Sequence, residues 1–241
     1  MSILVVGATG ATGRLLVEQL LNEGEQVRVI VRSVQSLPEH LIQNPKLTIT
    51  EASVLDMSDA ALQEQVKGCY AIASCLGHNL SCKGLFGQPR RLVTDSAKRL
   101  CQAVESTNPA NPVKYVLMNT TGNQNKQAGE TVSLGQRIVV GLLRYLLPPH
   151  ADNEQAARFL QSHYKASGDA IEWAAVRPDS LINEAEPTPY EVHASPTRDA
   201  IFDAGKTSRI NVAGFMSELI VNDDIWNKWR GQMPVIYNAQ E

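Results

Sequence analysis

Cysteine is scarce in this chain, and the spacing of the few cysteines excludes two classes of protein. The 241 residues include Cys69, Cys75, Cys82 and Cys101, none of which forms a C-x-x-C pair. The five histidines show no ligand spacing with these cysteines, so a metal site is not expected. Scattered cysteines of this kind indicate reduced, packed thiols rather than a disulfide scaffold, which predicts a cytoplasmic protein.

The chain also lacks a long apolar run and a large net charge. Its most apolar stretch, Ile138–Leu147, is interrupted by Arg144 and is too short for a bilayer, which needs about 20 apolar residues. The net charge of −3 argues against a nucleic-acid surface. Because the first apolar strand begins at Ile3, no signal peptide is expected. We therefore predict a globular protein that binds neither nucleic acid nor membrane.

The apolar segment Arg137–Leu147 has two interpretations. It is either a helix buried in the core, or a contact surface that a second subunit or an active site uses. The second interpretation includes a homodimer and a hydrophobic lid. We expect the segment to be covered, either by the core or by another subunit.

The most informative feature that is present lies in the first 13 residues. The apolar strand Ile3–Val6 runs into a glycine-rich turn, and a helix with an apolar stripe follows. Gly7 permits a tight turn, Gly10 removes a side chain where the backbone approaches a pyrophosphate, and Gly13 lets the helix pack closely on the sheet. The free amides of the first helical turn favour phosphate. The predicted nucleotide contacts in this turn are Gly7, Thr9, Gly10, Ala11, Thr12 and Gly13.

Arg32 predicts which dinucleotide this turn binds. It ends the second strand, where an NAD-type site usually has an acidic residue that holds the ribose hydroxyls. An arginine clamps a 2′-phosphate with charge-assisted hydrogen bonds, and Ser33 can add a hydroxyl to the same phosphate. Such bonds are worth about 1.5–3 kcal/mol, which predicts a roughly 10- to 100-fold preference for NADP(H) over NAD(H).

Strands and helices alternate along the rest of the chain. We predict further strands near residues 27–31, 47–50, 70–75, 113–118, 171–176 and 234–237. Asp56 is expected to begin a helix that Gly68 closes, and Asp152 with Gln155 forms a capping box for another. Residues 187–196 are expected to be irregular, and a tryptophan-rich turn precedes the last strand.

This alternation predicts an α/β fold. Repeated β-α-β units without internal repeats or linkers indicate a Rossmann-type, doubly wound parallel sheet with helices on both faces. We predict one domain over residues 1–241, with small cap elements near its C-terminus.

Three segments resemble the atypical short-chain dehydrogenase/reductase family. They are the opening glycine turn, the segment Arg177–Leu181, and the segment Ser208–Ala213. The resemblance spans nearly the whole chain and is greatest to NAD(P)H-binding proteins of the NmrA-like and biliverdin/flavin-reductase-like type. It implies a Rossmann-type fold and an NAD(P)H cofactor, which Arg32 narrows to NADP(H).

The resemblance also implies roles for individual residues. The amides of Ala11 and Thr12 would hold the pyrophosphate, and Leu76 and Gly77, with His78, would lie under the nicotinamide ribose. Asn119, Thr120 and Thr121 would sit beside the nicotinamide, and the backbone of Pro178 would touch its carboxamide side. Relatives often carry Gly-Asp after the third strand for adenine, whereas this chain has Ala52-Ser53. Ser53 and Val54 are therefore expected to be weaker adenine contacts.

The chain departs from the family in its catalytic motif. Most members use Tyr-x-x-x-Lys, in which the lysine lowers the tyrosine pKa so that the tyrosine passes a proton to a carbonyl oxygen. None of the six tyrosines here has a lysine four residues later. Classical alcohol or ketone chemistry is therefore not expected.

Two classes of function remain open. The first is a reductase that transfers hydride from NADPH to a small conjugated acceptor, such as a flavin or a quinone. In it Thr120 or Thr121 would orient the acceptor, and His78, His150 or Asp152 would relay a proton. Each of these residues also has an ordinary structural role available, such as helix capping for Asp152. The second class is a non-catalytic NADP(H)-sensing protein that changes partners with the state of the cofactor.

Overall fold

A computed structural model describes residues 1–78, 87–131, 148–164 and 169–239, and positions 135, 139 and 141 between them. The strands are β1 (Ser2–Val6), β2 (Val27–Val31), β3 (Leu47–Glu51), β4 (Cys69–Ser74), β5 (Val113–Met118), β6 (Ile171–Pro178), β7 (Ser180–Ile182), β8 (Tyr190–His193), β9 (Lys206–Ser208) and β10 (Val235–Asn238). The helices are α1 (Ala11–Asn22), α2 (Glu39–Ile42), α3 (Asp59–Val66), α4 (Leu92–Ser106), α5 (Pro148–His163), α6 (Arg209–Val221) and α7 (Asp223–Trp229).

One eight-stranded sheet organises these elements. Its strand order is β3-β2-β1-β4-β5-β6-β10-β8, and every neighbouring pair is parallel except β10 with β8. The strand order reverses between β1 and β4, and doubly wound folds bind their ligands in the crevice at that point. The predicted Rossmann-type α/β class is confirmed.

Buried apolar residues cover both faces of the sheet, as the strand pattern predicts. Ile3 and Val5 of β1 face one side, where the buried stripe of α1 packs with α6 and α7. Leu4 and Val6 face the other side, where α3, α4 and α5 pack. Alternate residues of one strand thus enter two separate cores, because successive strand side chains point to opposite faces.

Several element boundaries differ from the sequence-based expectations. Asp56 does not begin α3; Ser58 does, since its hydroxyl accepts a hydrogen bond from the Ala61 amide. The predicted loop at 187–196 contains β8, which pairs with β10 at the sheet edge. The tryptophan-rich turn is the helix α7, capped by the Asn222 side chain. Each error lies where a neighbouring cap or a distant strand decides the local structure.

The expectation for Asp152 and Gln155 is also wrong. Helix α5 already begins at Pro148, so Asp152 lies in its second turn and cannot be its N-cap. Proline is favoured in the first turn of a helix because its missing N–H has no partner there in any case. The carboxylate of Asp152 is used elsewhere, at the candidate site.

The described residues include three of the four cysteines and little of the apolar segment Arg137–Leu147. Cys69, Cys75 and Cys101 are free thiols, whereas Cys82 lies outside the described residues. Most of Arg137–Leu147 also lies outside them, so its coverage stays a prediction. In the described part of the chain, no helix is both long and apolar enough to span a bilayer.

Candidate functional site

The glycine turn is built by close backbone packing. Gly7 has φ of +80°, and a Cβ there would lie 2.5 Å from the carbonyl carbon and oxygen of Cys75. A Cβ at Gly13 would lie 2.2 Å from the Gly7 oxygen and 3.1 Å from the Cys75 Cβ. Contacts this short cannot exist, so both positions require glycine. The two residues bring the end of β1, the start of α1 and the chain after β4 into one compact corner.

Gly10 differs from these two glycines because its free side is open. A Cβ there would approach only the Gly7 oxygen, at 3.2 Å. Gly10 is the N-cap residue of α1, and no side chain caps this helix. Its neighbours Thr9 and Ala11 are exposed, whereas Thr12 is buried. The first amides of a helix of 12 residues therefore meet open space, which suits an anion such as a pyrophosphate.

The turn after β2 lies farther along the same edge of the sheet. Arg32 is exposed, and its guanidinium makes no hydrogen bond or ion pair with any residue the structure describes. Ser33 is half-buried, and its hydroxyl donates to Gln35 Oε1 at 2.6 Å. The Val34 amide donates to Glu51 Oε2 at 3.1 Å. Arg32 is thus placed as the sequence predicted, and Glu51 brings an unexpected carboxylate to this turn.

Ser53 and Val54 lie in the loop after β3. The Ser53 carbonyl accepts hydrogen bonds from the Asp56 and Met57 amides, which closes a tight turn. Arg99 of α4 holds this loop, because its guanidinium donates to the carbonyls of Val54, Leu55 and Met57. Sequence reasoning missed Arg99, since its partners lie more than 40 residues earlier in the chain. The loop is therefore held in place independently of any ligand.

The chain after β4 places a histidine against a buried carboxylate. Leu76 is half-buried, and a Cβ at Gly77 would meet none of the described residues within 4 Å. His78 Nε2 lies 2.8 Å from Asp152 Oδ2, and the two side chains are 5% and 0% exposed. An acceptor of this kind favours a proton on that ring nitrogen. Gly77 adds no side chain beside this pair.

Asp152 caps a helix other than its own. Its Oδ2 and Oδ1 accept hydrogen bonds from the amides of Val93 and Thr94, at 2.8 and 3.0 Å, in the first turn of α4. The Thr94 hydroxyl donates back to the Asp152 carbonyl at 2.9 Å. Because the carboxylate is buried and committed to α4 and His78, it would act on a bound molecule through His78. The predicted capping chemistry is therefore present, but on a different helix.

The two candidate threonines after β5 occupy different environments. Thr120 is half-buried; its amide donates to Asn119 Oδ1 at 2.8 Å, and its hydroxyl accepts from the Gly122 amide at 3.3 Å. Thr121 is buried, and its amide donates to the Pro178 carbonyl at 3.1 Å. Thr120 is therefore the more accessible of the two.

Pro178 and Asp179 form the end of β6. Pro178 is buried and pairs with Ile236 of β10. Asp179 Oδ2 accepts the Gly205 amide at 2.9 Å. Burial raises the pKa of the Asp179 carboxyl, while hydrogen bonds from Gly205, Thr121 and Ser180 act in the opposite direction. Sequence reasoning did not single out Asp179, although its place directly after Pro178 in the quoted Arg-Pro-Asp segment was a usable signal.

A buried ion pair holds the end of β6 in place. Arg177 is fully buried, and its guanidinium donates to both carboxylate oxygens of Glu130, at 2.6 and 3.0 Å. It also donates to the carbonyls of Met233 and Asn123, at 2.7 and 2.9 Å. The pair ties the segment after β5 to β6 and to the chain before β10. No local pattern in the sequence indicates this pairing.

The remaining candidate, His150, lies in the first turn of α5. A Cβ at Gly122 would lie 3.0 Å from His150 Cε1, so the imidazole packs on the backbone of the segment after β5. The predicted residues from β1 to β6 therefore gather along the carboxyl edge of the sheet, with His150 and Asp152 brought there by α5. No group of three or more residues able to hold a metal ion occurs among the described residues.

Comparison with known families gives a match over most of the chain. The family described as NAD(P)H-binding matches residues 7–223. Among curated proteins, an uncharacterised chloroplastic protein of Arabidopsis thaliana is 40% identical over 57 residues, which cover 24% of this chain. The matched segment spans 20% of that relative.

Solved structures share the fold over nearly their full lengths. A short-chain dehydrogenase/reductase from Veillonella parvula, in complex with NADP, has a TM-score of 0.71 and 16% identity, covering 98% of this chain and 94% of its own. The anaerobillin reductase ChuY from Escherichia coli O157:H7 has a TM-score of 0.69 and 17% identity, with coverages of 100% and 98%. A candidate NADH-flavin reductase from Streptococcus pneumoniae has a TM-score of 0.68 and 14% identity, with coverages of 99% and 100%.

Proposed function

The chain belongs to the NAD(P)H-binding family, within the atypical short-chain dehydrogenase/reductases, and we propose that it is an NADPH-dependent reductase of a small conjugated acceptor such as a flavin or a quinone. The observation that carries this proposal is the uncapped first turn of α1 beside the open side of Gly10. A protein that did not use this turn for an anion would gain stability from a side-chain cap there. The lack of a side-chain cap at the first turn of α1 therefore favours a functional nucleotide-binding site.

The residues present fit NADP(H). The amides of Ala11 and Thr12 would hold the pyrophosphate, and the unengaged guanidinium of Arg32 would hold the 2′-phosphate. Leu76 and Gly77 would face the nicotinamide ribose, where Gly77 leaves room. When bound, NADPH supplies a hydride and leaves as NADP⁺, and the acceptor takes up that hydride and one proton.

The sequence lacks the Tyr-x-x-x-Lys proton donor, and this narrows the class of acceptor that the protein can reduce. The Thr121 side chain is buried, and the Asp152 carboxylate accepts hydrogen bonds from the Val93 and Thr94 amides. A conjugated ring spreads the incoming negative charge and so needs little proton help, and positioning alone supplies much of a rate enhancement. Half-buried Thr120 would orient the acceptor, and His78 would hold a proton on the nitrogen that faces Asp152.

The structurally similar proteins support the same class of acceptor. One is described as an anaerobillin reductase and another as a candidate NADH-flavin reductase. The substrates in these two descriptions are extended conjugated molecules. At 14–17% identity the likeness shows the fold, so it supports the proposal without assigning a substrate.

A second candidate function is a non-catalytic NADP(H) sensor of the NmrA-like type. The observation that favours it is that the Asp152 carboxylate is already engaged by the Val93 and Thr94 amides and by His78, and so does not reach an acceptor directly. A sensor would need only the nucleotide end of the cleft. It would bind NADPH and NADP⁺ with different affinities, or change a partner interaction with cofactor state.

A panel assay separates the two candidates. Purified protein with NADPH is offered flavins, quinones and simple ketones, while NADPH oxidation is followed by absorbance. For a reductase, we expect turnover with at least one conjugated acceptor, reduced in the Thr120→Val variant while NADPH binding is retained. Thr121→Val serves for comparison, since Thr121 is buried whereas Thr120 is half-buried.

The alternative outcomes have distinct meanings. No turnover with any acceptor, together with unequal affinities for NADPH and NADP⁺, would favour the sensor. Robust ketone reduction with a tyrosine-like pH profile would contradict both candidates. For the cofactor, the Arg32→Gln variant should lose affinity for NADPH much more than for NADH, measured as two dissociation constants. Equal losses would show that Arg32 does not contact the 2′-phosphate.

A further inference from the structure

The end of β3 brings an acidic side chain to the turn that carries Arg32. Glu51 is the last residue of β3 and pairs with Val31, which directly precedes Arg32. The Ala52 amide donates to the Val31 carbonyl at 2.8 Å, which extends the pairing past the strand. The Glu51 carboxylate then accepts the Val34 amide at 3.1 Å. One exposed carboxylate is therefore held two residues beyond the arginine.

This contact matters for a phosphate at the turn. A backbone amide in a turn beside an arginine is itself a donor suited to phosphate oxygens. The Glu51 carboxylate occupies the Val34 amide and adds a negative charge next to it. A dianionic 2′-phosphate would meet one cation and one anion here, whereas a neutral ribose 2′-hydroxyl would not be repelled and can donate to a carboxylate.

We propose that Glu51 is a specificity-determining residue that opposes Arg32. Its carboxylate weakens binding of the 2′-phosphate and so keeps NADH a usable cofactor beside NADPH. The inference rests on the proposed function, because it assumes that the nucleotide lies in the cleft with its adenosine end at the Arg32 turn. The relative affinity for NADPH and NADH is thereby assigned to two opposite charges, Arg32 and Glu51, at the ends of neighbouring strands.

The conservative variant Glu51→Gln isolates the charge. Its amide oxygen can still accept the Val34 amide, so the tie between the two loops is kept while the negative charge is lost. We expect the dissociation constant for NADPH to fall by about fivefold to tenfold. The dissociation constant for NADH should stay the same or rise slightly. Both are measured by nucleotide fluorescence or calorimetry.

Glu64→Gln is the matched control. It removes the same charge from an exposed glutamate, whose side chain is 71% exposed. Glu64 lies near the end of α3, where the helix has run back toward the start of β4 and away from the carboxyl edge. We expect both dissociation constants to match those of the wild type in this variant.

Two further measurements test the direct action of the carboxylate. Among the described residues Arg32 makes no ion pair, so Glu51 does not act by neutralising it. The higher NADPH affinity that Glu51→Gln produces should therefore persist when Arg32 is also replaced by Gln. It should shrink at about 1 M salt, because screening weakens interactions between exposed charges. A gain that vanishes in the Arg32→Gln background would overturn direct repulsion of the phosphate.

The outcomes keep this inference separate from the proposed function. If the wild type binds both nucleotides and Glu51→Gln changes neither affinity, or changes both in the same proportion, the inference is wrong and the proposed function stands. If the wild type binds neither nucleotide, the proposed function fails and the inference fails with it. A selective gain for NADPH, absent in Glu64→Gln, supports both.

Discussion

The two ends of the candidate site are built in different ways. At the proposed nucleotide end, Gly7, Gly10 and Gly13 shape the turn because they have no side chain. Backbone atoms pack against one another there. At the acceptor end, side chains from distant segments hold one another: Asp152 caps α4 and contacts His78, and Arg177 holds Glu130. The first end is a local structure and the second is a network.

This difference predicts which kind of substitution would disrupt the structure at each end. A local turn is lost when one atom is added, since the neighbouring backbone cannot move away. A buried polar network is lost when one partner is removed, because the remaining group keeps its desolvation cost. The predictions below use additions at the nucleotide end and removals at the acceptor end.

The largest effect is expected from breaking the buried ion pair. Glu130→Gln leaves the Arg177 guanidinium, which is fully buried, without its charged partner. Removing one partner of such a pair typically costs about 3–5 kcal/mol. We expect that loss in the free energy of unfolding, measured by urea denaturation. Glu64→Gln breaks an exposed pair with Lys67 and should leave the unfolding free energy unchanged; equal effects would show that the Arg177 pair is not buried in solution.

The same difference decides how much the sequence alone could predict. The apolar stripe of α1 and the strand Val113–Met118 are confirmed because they depend on local periodicity. Strand β8 was missed because its pairing partner, β10, lies more than 40 residues later in the chain. Short edge strands of this kind depend on tertiary contacts rather than on their own pattern.

At the candidate site, prediction from the sequence again fails where the interacting residues lie far apart along the chain. The geometry of Gly7 and Gly13 follows from their own sequence pattern, and Arg32 follows β2 without a hydrogen bond or ion pair to any described residue. Asp152 was recognised as a cap but assigned to the nearest helix, whereas its amide partners lie 58 and 59 residues away. Arg99 and Glu130 were missed for the same reason. The roles of all these residues in binding stay predictions.

A pair of alanine substitutions separates folding from binding at the nucleotide end. In Gly13→Ala the new Cβ would meet the Gly7 oxygen at 2.2 Å, so we expect a loss of about 1–3 kcal/mol in unfolding free energy, the usual range for overpacking. In Gly10→Ala the Cβ meets only one atom, at 3.2 Å, and the φ of −75° suits alanine. That variant should keep its melting temperature and lose NADPH affinity. Unchanged NADPH affinity in Gly10→Ala would show that no ligand approaches this glycine.

Removing the Asp152 charge tests its double role. Asp152→Asn keeps one acceptor for the first turn of α4 but weakens the cap and the contact with His78. We expect a loss of about 1–2 kcal/mol in unfolding free energy, retained NADPH binding, and slower acceptor reduction. Ser58→Ala, which removes the cap of α3, is the control: it should cost about 1 kcal/mol and leave the reduction rate unchanged. Equal rates in both variants would remove His78 from the reaction.

The smallest effect is a change in the pH dependence of stability at Asp179. Burial raises the pKa of this carboxyl above its ordinary value of 3.8, so the folded protein holds the proton more tightly than the unfolded chain. Its contribution to stability is present below pH 3.8 and is lost as the pH rises through the folded pKa. The variant Asp179→Asn lacks this titration and keeps an acceptor for the Gly205 amide. Its stability relative to the wild type should therefore rise with pH above 3.8, measured by denaturation at a series of pH values.

Asp223 supplies a control of opposite sign for this measurement. A hydrogen bond and the charge of Lys114, at 2.8 Å, lower the pKa of the Asp223 carboxyl below 3.8. The stability from this pair is present above the ordinary pKa and is lost as the pH falls, so Asp223→Asn should become less stable relative to the wild type as the pH rises. The two relative stabilities should therefore change in opposite directions, that of Asp223→Asn mainly below pH 3.8 and that of Asp179→Asn mainly above it. If Asp179→Asn followed Asp223→Asn instead, the hydrogen bonds from Gly205, Thr121 and Ser180 would outweigh burial. The pKa of the Asp179 carboxyl would then be lower in the folded protein than in the unfolded chain.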